Sequence, residues 1–196
     1  MVEWQDVLLE WIRHESETRP DFRKMLKKRD FELIKNPDLK NRKQSSELLK
    51  ILSAYRTYLS RDYFVKRKWS VRTFDKNSLE KLLLPLGTGW KYISGGSHKA
   101  ADAAETIFDK PDAIGKRYAS SIKFITDNYR KISESKHKLI IVEGDRGKMQ
   151  IVEGAHRLVA IFYRKLKEPS FRIKPIEAYV GKGGPSKSKK SQKQIR

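Results

Sequence analysis

Regular patterning begins near the start of the chain. Trp4, Val7, Leu8, Trp11 and Ile12 recur at i, i+3, i+4, i+7 and i+8, an apolar stripe on one helical face. Pro20-Asp21 suits the first turn of a second helix, which Phe22, Met25, Leu26, Phe31 and Leu33 continue until Asn36-Pro37-Asp38 interrupts it. A third helix is predicted from about Ser45 to Phe64, capped by Ser45 or Ser46, with Leu48, Leu49, Leu52, Tyr55 and Leu59 facing inward. Residues 1–72 therefore read as a helical region.

The middle of the chain is less regular. Leu79–Leu84 reads as a short helix ending at Pro85, and Gly87-Thr88-Gly89-Trp90 and Ser94-Gly95-Gly96-Ser97-His98 read as loops. An alanine-rich helix is predicted from about Lys99 to Phe108. The glycine-serine loop just before it has two readings, a plain connection or a cradle offering backbone N–H groups to an anion.

The pattern sharpens toward the C-terminal end. Lys116–Tyr129 reads as a helix with Tyr118, Ile122 and Ile125 on one side. Leu139–Val142 is a short buried strand, Gly144-Asp145-Arg146-Gly147 a hairpin turn and Met149–Val152 the partner strand. Ala155–Lys167 is predicted as a helix with Leu158, Val159, Phe162 and Leu166 inward, and Lys174–Val180 as a last strand. The lysine- and serine-rich tail has Ile195 as its one apolar residue and reads as disordered on its own.

Length and composition add bounds. A chain of 196 residues, 38% apolar, makes one large domain or two small ones with a real core. No run approaches the roughly 18 apolar residues of a membrane span, and Met1–Asp6 does not read as a secretory signal. The chain contains no cysteine, which excludes thiolate chemistry and fits a cytoplasmic protein. Net charge is +20, from 44 Lys and Arg against 24 Asp and Glu. Residues 1–72 carry 18 basic and 11 acidic side chains, and residues 73–180 carry 20 and 13. Such a field attracts polyanions, so nucleic acid is the expected partner and no membrane is expected.

The candidate chemistry is local. Glu153-Gly154-Ala155-His156-Arg157 stands where a strand turns directly into a helix. Glycine permits a sharp turn and close approach of a ligand. The first turn of a helix has N–H groups without intrahelical partners and a partial positive charge, both favourable to phosphate. His156 adds a donor, and Arg157 could grip phosphate oxygens as a fork. Glu153 is the candidate catalytic residue, as a proton acceptor or a partner for a ribose. A plain structural turn, with arginine paired to glutamate, would use the same residues. His14, His98 and His137 show no metal-ligand spacing.

The run Ile140-Ile141-Val142, the turn, and Ile151-Val152-Glu153-Gly154-Ala155-His156-Arg157-Leu158-Val159-Ala160 resembles the ParB/sulfiredoxin superfamily. That family places an acidic residue, Gly, a variable residue and His-Arg or Arg-Arg between strand and helix. The helix bearing Arg117, Ser120, Ser121 and Ile122 is similar to the one before the family's hairpin, and Pro175–Gly181 to its closing strand. The resemblance implies nucleotide binding by Gly154, Ala155, His156 and Arg157. Arg117 and Ser120 have the spacing of the family's Lys and Ser that reach the nucleotide. It points to ATP, ADP or CTP with Mg2+ as ligand. Sulfiredoxin activity itself is excluded, because Ala155 stands where those enzymes carry their reactive cysteine. The implied fold class is α+β: a helical region over 1–72, a small mixed α/β domain over 73–181 with its motif-bearing core at 115–181, and a basic tail over 182–196.

Two basic segments interest the nucleic-acid reading. From Arg61 to Arg72, cations (Arg61, Lys66, Arg67, Lys68, Arg72) interleave with rings including Trp69. This pattern suits phosphate contact with base stacking, or equally a helix end whose rings pack inward. Lys187, Lys189 and Lys190 in the tail would add affinity for phosphate backbone irrespective of sequence. Lys24, Lys27, Lys28 and Arg29 read instead as a solvated face. Two functions follow: a ParB-like nucleotide-binding protein that associates with nucleic acid, or a nucleotide-dependent kinase, ATPase or nuclease using Glu153 or Glu143 as base.

Overall fold

The computed structural model describes residues 2–86, 89–111, 118–144 and 147–183. The chain is mixed α+β with a helical N-terminal region. It divides into two compact units, Met1–Ser70 with Gly181–Arg196, and Val71–Val180. No helix among the described residues is long and apolar enough to cross a membrane.

The first unit contains α1 (Trp4–Thr18), α2 (Pro20–Met25), α3 (Lys28–Lys35), α4 (Arg42–Tyr55) and α5 (Arg61–Val65), and leads into β1 (Arg67–Phe74). The stripe expected on α1 forms its core: Val7, Leu8, Trp11 and Ile12 are fully buried, with Phe22, Leu48, Leu52 and Phe64. The carboxylate of Glu15, also buried on α1, accepts hydrogen bonds from Trp11 Nε1 at 3.1 Å and Arg56 Nε at 2.7 Å. A cation at the end of α4 is thereby anchored to the central helix.

Three expectations for this unit are corrected. The second helix stops at Met25, and Asp30 caps a new one by accepting from the Lys27 N–H. The helix predicted from Ser45 to Phe64 starts at Arg42, capped by Asn41, and ends at Tyr55 before the chain restarts at Arg61. Ser45 is buried and donates to the Leu39 carbonyl instead of capping. The helical region is also not helical to residue 72, because β1 begins at Arg67, where Trp69 turns inward and Lys68 outward.

The second unit contains α6 (Lys76–Leu79), α7 (Trp90–Ile93), α8 (Ala100–Asp109), α9 (Ala119–Ser133), β2 (Leu139–Glu143), β3 (Met149–Glu153), α10 (Ala155–Lys167) and most of β4 (Ile176–Gly183). The strand order is β1-β4-β2-β3. β2 and β3 pair antiparallel, Ile141 opposite Ile151, with an irregularity between Ile140 and Ile141. α10 matches its predicted span and is buried from Arg157 to Tyr163, because α8 and α9 both pack on it.

The leucine run departs from expectation. Helix α6 ends at Leu79, capped by Asp75, and Leu82–Leu84 is extended. The Leu83 N–H donates to the Met149 carbonyl at 3.0 Å and its carbonyl accepts from Ile151 at 2.8 Å, so this segment borders β3. Leu82 and Leu84 are buried. A short apolar run fits a buried helix or a buried strand equally, and the open edge of β3 decides the outcome here. α7 lies near the start of α10, with the Trp90 ring against His156.

Candidate functional site: the turn from β3 into α10

β3 passes into α10 through Gly154, which is left-handed (φ 94°, ψ 13°) and is the N-cap of the helix. A Cβ at this position would collide with the Leu139 side chain, so both conformation and space require glycine. Gly154 has no side chain with which to cap the first turn. Its own N–H donates to Glu153 Oε1 at 3.0 Å, and its carbonyl accepts from Leu158 at 3.0 Å. Glu153 therefore braces the turn, and Ala155 is buried at the start of the helix.

The next two residues face different surroundings. His156 is half-buried between two rings, Trp90 at 5.0 Å and Phe124 at 5.8 Å between centroids, both edge-on. Arg157 is buried at 9% exposure, and its Nη1 donates to the His137 carbonyl. The arginine expected as a phosphate fork is thus tied to the segment between α9 and β2. Ser120 is exposed in the first turn of α9, one turn before Phe124 and on the same face, so helix geometry carries it toward His156. Arg117 lies outside the described residues.

Sequence reasoning missed Trp90 and Phe124. Trp90 belongs to a four-residue helix, α7, that no pattern announced, and its ring is buried. Beside it, Tyr118 lies so close against Gly89 that a Cβ there would collide with the ring, and Tyr92 stacks on Tyr118 at 5.9 Å. His156 in the first turn of α10 is therefore flanked by aromatic rings.

The glycine-serine loop turns out to be a connection. Its N–H groups are occupied from end to end: Ser94 to Trp90 O, Gly95 to Tyr92 O, Gly96 to Lys91 O, Ser97 to Ser94 O, His98 to Ser94 Oγ and Lys99 to Ser97 Oγ. With every donor satisfied internally, no anion cradle is left. Among the described residues no group of three His, Asp or Glu could hold a metal ion.

The basic-aromatic segment divides. Trp69 is buried and its Nε1 donates to the Phe64 carbonyl at 2.9 Å, so it is a core ring and not a stacking platform. Arg67 lies over the Tyr63 ring at 4.1 Å and donates to the Tyr63 carbonyl. Burial pulls its guanidinium down from its ordinary range and pushes the Tyr63 phenol up. Lys66 pairs with Asp62 at 2.6 Å, and Arg72 approaches Glu143 at 3.9 Å. Arg61 and Lys68 are the exposed remainder. Lys187, Lys189 and Lys190 lie outside the described residues. Comparison of the chain with protein-family models, curated proteins and solved structures finds no match.

Proposed function

We propose that the Val71–Val180 unit binds a nucleoside phosphate at the turn from β3 into α10, as a ParB/sulfiredoxin-like domain would, and that the protein associates with nucleic acid. The observation that carries the reading is Gly154. A left-handed glycine turns the strand straight into a helix of 13 residues, with His156 in its first turn. A phosphate there would meet the positive end of the helix dipole, and a base would have aromatic neighbours in Trp90 and Phe124. The net charge of +20 supports a polyanionic partner.

The test is calorimetric titration of ATP, ADP and CTP with Mg2+ into wild type and His156→Ala. His156 is the better probe than Arg157, since truncating a buried arginine that holds the His137 carbonyl would disturb the fold itself. Saturable binding that weakens at least tenfold in the variant supports the site. Equal binding by both proteins, or none by the folded wild type, removes it.

A further inference from the structure

The fold neutralises some of its cations and leaves others alone, and the division does not follow charge density along the chain. Of the segment from Arg61 to Arg72, most cations are engaged by carboxylates, carbonyls or a ring. In the segment from Lys28 to Lys43, Arg29 approaches Asp30 at 3.5 Å, but the other cations behave differently. Lys28, Lys35, Lys40, Arg42 and Lys43 are all exposed, and none forms an ion pair among the described residues. Lys28 and Lys35 share a face of α3, seven residues or about 10 Å apart. Lys40, Arg42 and Lys43 crowd the corner where α3 passes into α4.

That corner is built firmly. Arg13 donates to the Ile34 and Lys35 carbonyls at 3.3 and 3.1 Å, closing the end of α3. Asp38 accepts from the Lys40 N–H, Gln44 accepts from the Asp38 N–H, and the Asn41 amide oxygen accepts from Lys43 and Gln44 N–H. The Lys43 and Gln44 N–H groups at the start of α4 are therefore occupied, and attraction for an anion comes chiefly from the side chains. Their position is unfavourable for the helix: cations at its N-terminal end oppose the dipole, and its first turn holds no acid. A bound polyanion would relieve that repulsion.

We infer that the α3–α4 corner, with the Lys28–Lys35 face of α3, is the surface that docks the phosphate backbone of a nucleic-acid duplex. The inference rests on the nucleic-acid half of the proposed function and places it on residues the sequence pattern marked as solvated or passed over. A lipid surface fits less well, because interfacial binding needs exposed apolar side chains beside the cations. Here Ile34 and Leu48 are buried, and across α2–α4 Met25 is the one large apolar side chain that stands exposed among the described residues.

The experiment compares wild type, the triple variant Lys40→Gln/Arg42→Gln/Lys43→Gln, and the control Arg61→Gln/Lys66→Gln/Lys68→Gln. Each is titrated into a labelled mixed-sequence DNA duplex over a range of salt, and into anionic phospholipid vesicles. The corner variant should bind DNA at least tenfold more weakly near 0.1 M salt, with the slope of log K against log salt shallower by about 2.7, as for three lost phosphate contacts. It should also melt no lower than wild type, since repulsion at the start of α4 has been removed, and this separates lost contact from lost fold. The control should change less. An unchanged slope in the corner variant, equal losses in both variants, or a loss confined to vesicle binding each overturns the assignment. No DNA binding by wild type at low salt instead overturns the nucleic-acid reading on which it rests.

Discussion

The Trp90 ring meets the imidazole of His156 edge-on, with centroids 5.0 Å apart and planes at 69°. Trp4, Trp11 and Trp69 belong to the other unit, so Trp90 is the tryptophan of Val71–Val180. A ligand seated at the first turn of α10 therefore comes within reach of one identifiable fluorophore. Addition of ADP with Mg2+ should give a saturable change in tryptophan emission that is absent in Trp90→Phe. Emission that stays unchanged while calorimetry reports binding would move the ligand away from this turn.

Gly154→Ala should be costly although the side chain added is small. The backbone must remain left-handed, and the new Cβ must displace Leu139, which is fully buried. Strained backbone of this kind costs about 1–3 kcal/mol, read as a lower urea midpoint with an unchanged slope. Gly95 and Gly96 are also left-handed, but a Cβ there meets nothing within 4 Å. The comparison Gly96→Ala should therefore lose less, and equal losses would show that the Leu139 contact contributes nothing.

These two glycine sites also show what the sequence could reveal. The turn at Gly154 and the span of α10 were legible because strand, glycine and amphipathic helix are adjacent in the chain. The leucine run was not, because its state depends on hydrogen bonds from Leu83 to Met149 and Ile151 far along the chain. The end of α4 was equally hidden, since no Gly or Pro marks Tyr55 and Arg56 is drawn to Glu15 across 41 residues. Charge was the least legible feature of the candidate sites. The sequence counts 44 cations, but pairing is a tertiary property. Arg67 and Trp69 fit an open and an inward-packed reading equally, and the fold buries Trp69 and half-buries Arg67, whereas Lys40, Arg42 and Lys43 fall in no motif and stand exposed.

The Glu15–Arg56 pair predicts an asymmetry. Glu15 is 1% exposed, and Arg56 retains 24%. Removing a partner from a buried pair costs roughly 3–5 kcal/mol, but the two truncations are not equivalent. In Glu15→Ala the Arg56 guanidinium can turn toward water, placing the loss at the low end. In Arg56→Ala the carboxylate stays buried with Trp11 Nε1 and a more distant Arg19 at 3.8 Å, so the loss should be larger. Chemical denaturation of both variants measures this, and the reverse order would mean that Arg19 replaces Arg56.

Tyr55 and Asp21 supply a pH signature with two limbs. The Tyr55 hydroxyl donates to Asp21 Oδ2 at 2.6 Å. Burial first, and then this bond, push the Tyr55 phenol up to about 12 from 10.0. The bond from Tyr55 holds the Asp21 carboxyl below its ordinary 3.8. A raised phenol contributes stability that is present in full below pH 10 and is lost as pH climbs toward 12. A depressed carboxyl contributes stability that is present above its unfolded value and is lost as pH falls below 3.8. The difference in unfolding free energy between wild type and Tyr55→Phe should therefore be level between these limits and shrink on both sides. Urea midpoints of the two proteins from acid to alkaline pH provide the measurement. A difference that stays constant through the alkaline limb would show that the phenol titrates alike in the folded and unfolded chains, and the Tyr55–Asp21 bond would then contribute nothing to alkaline stability.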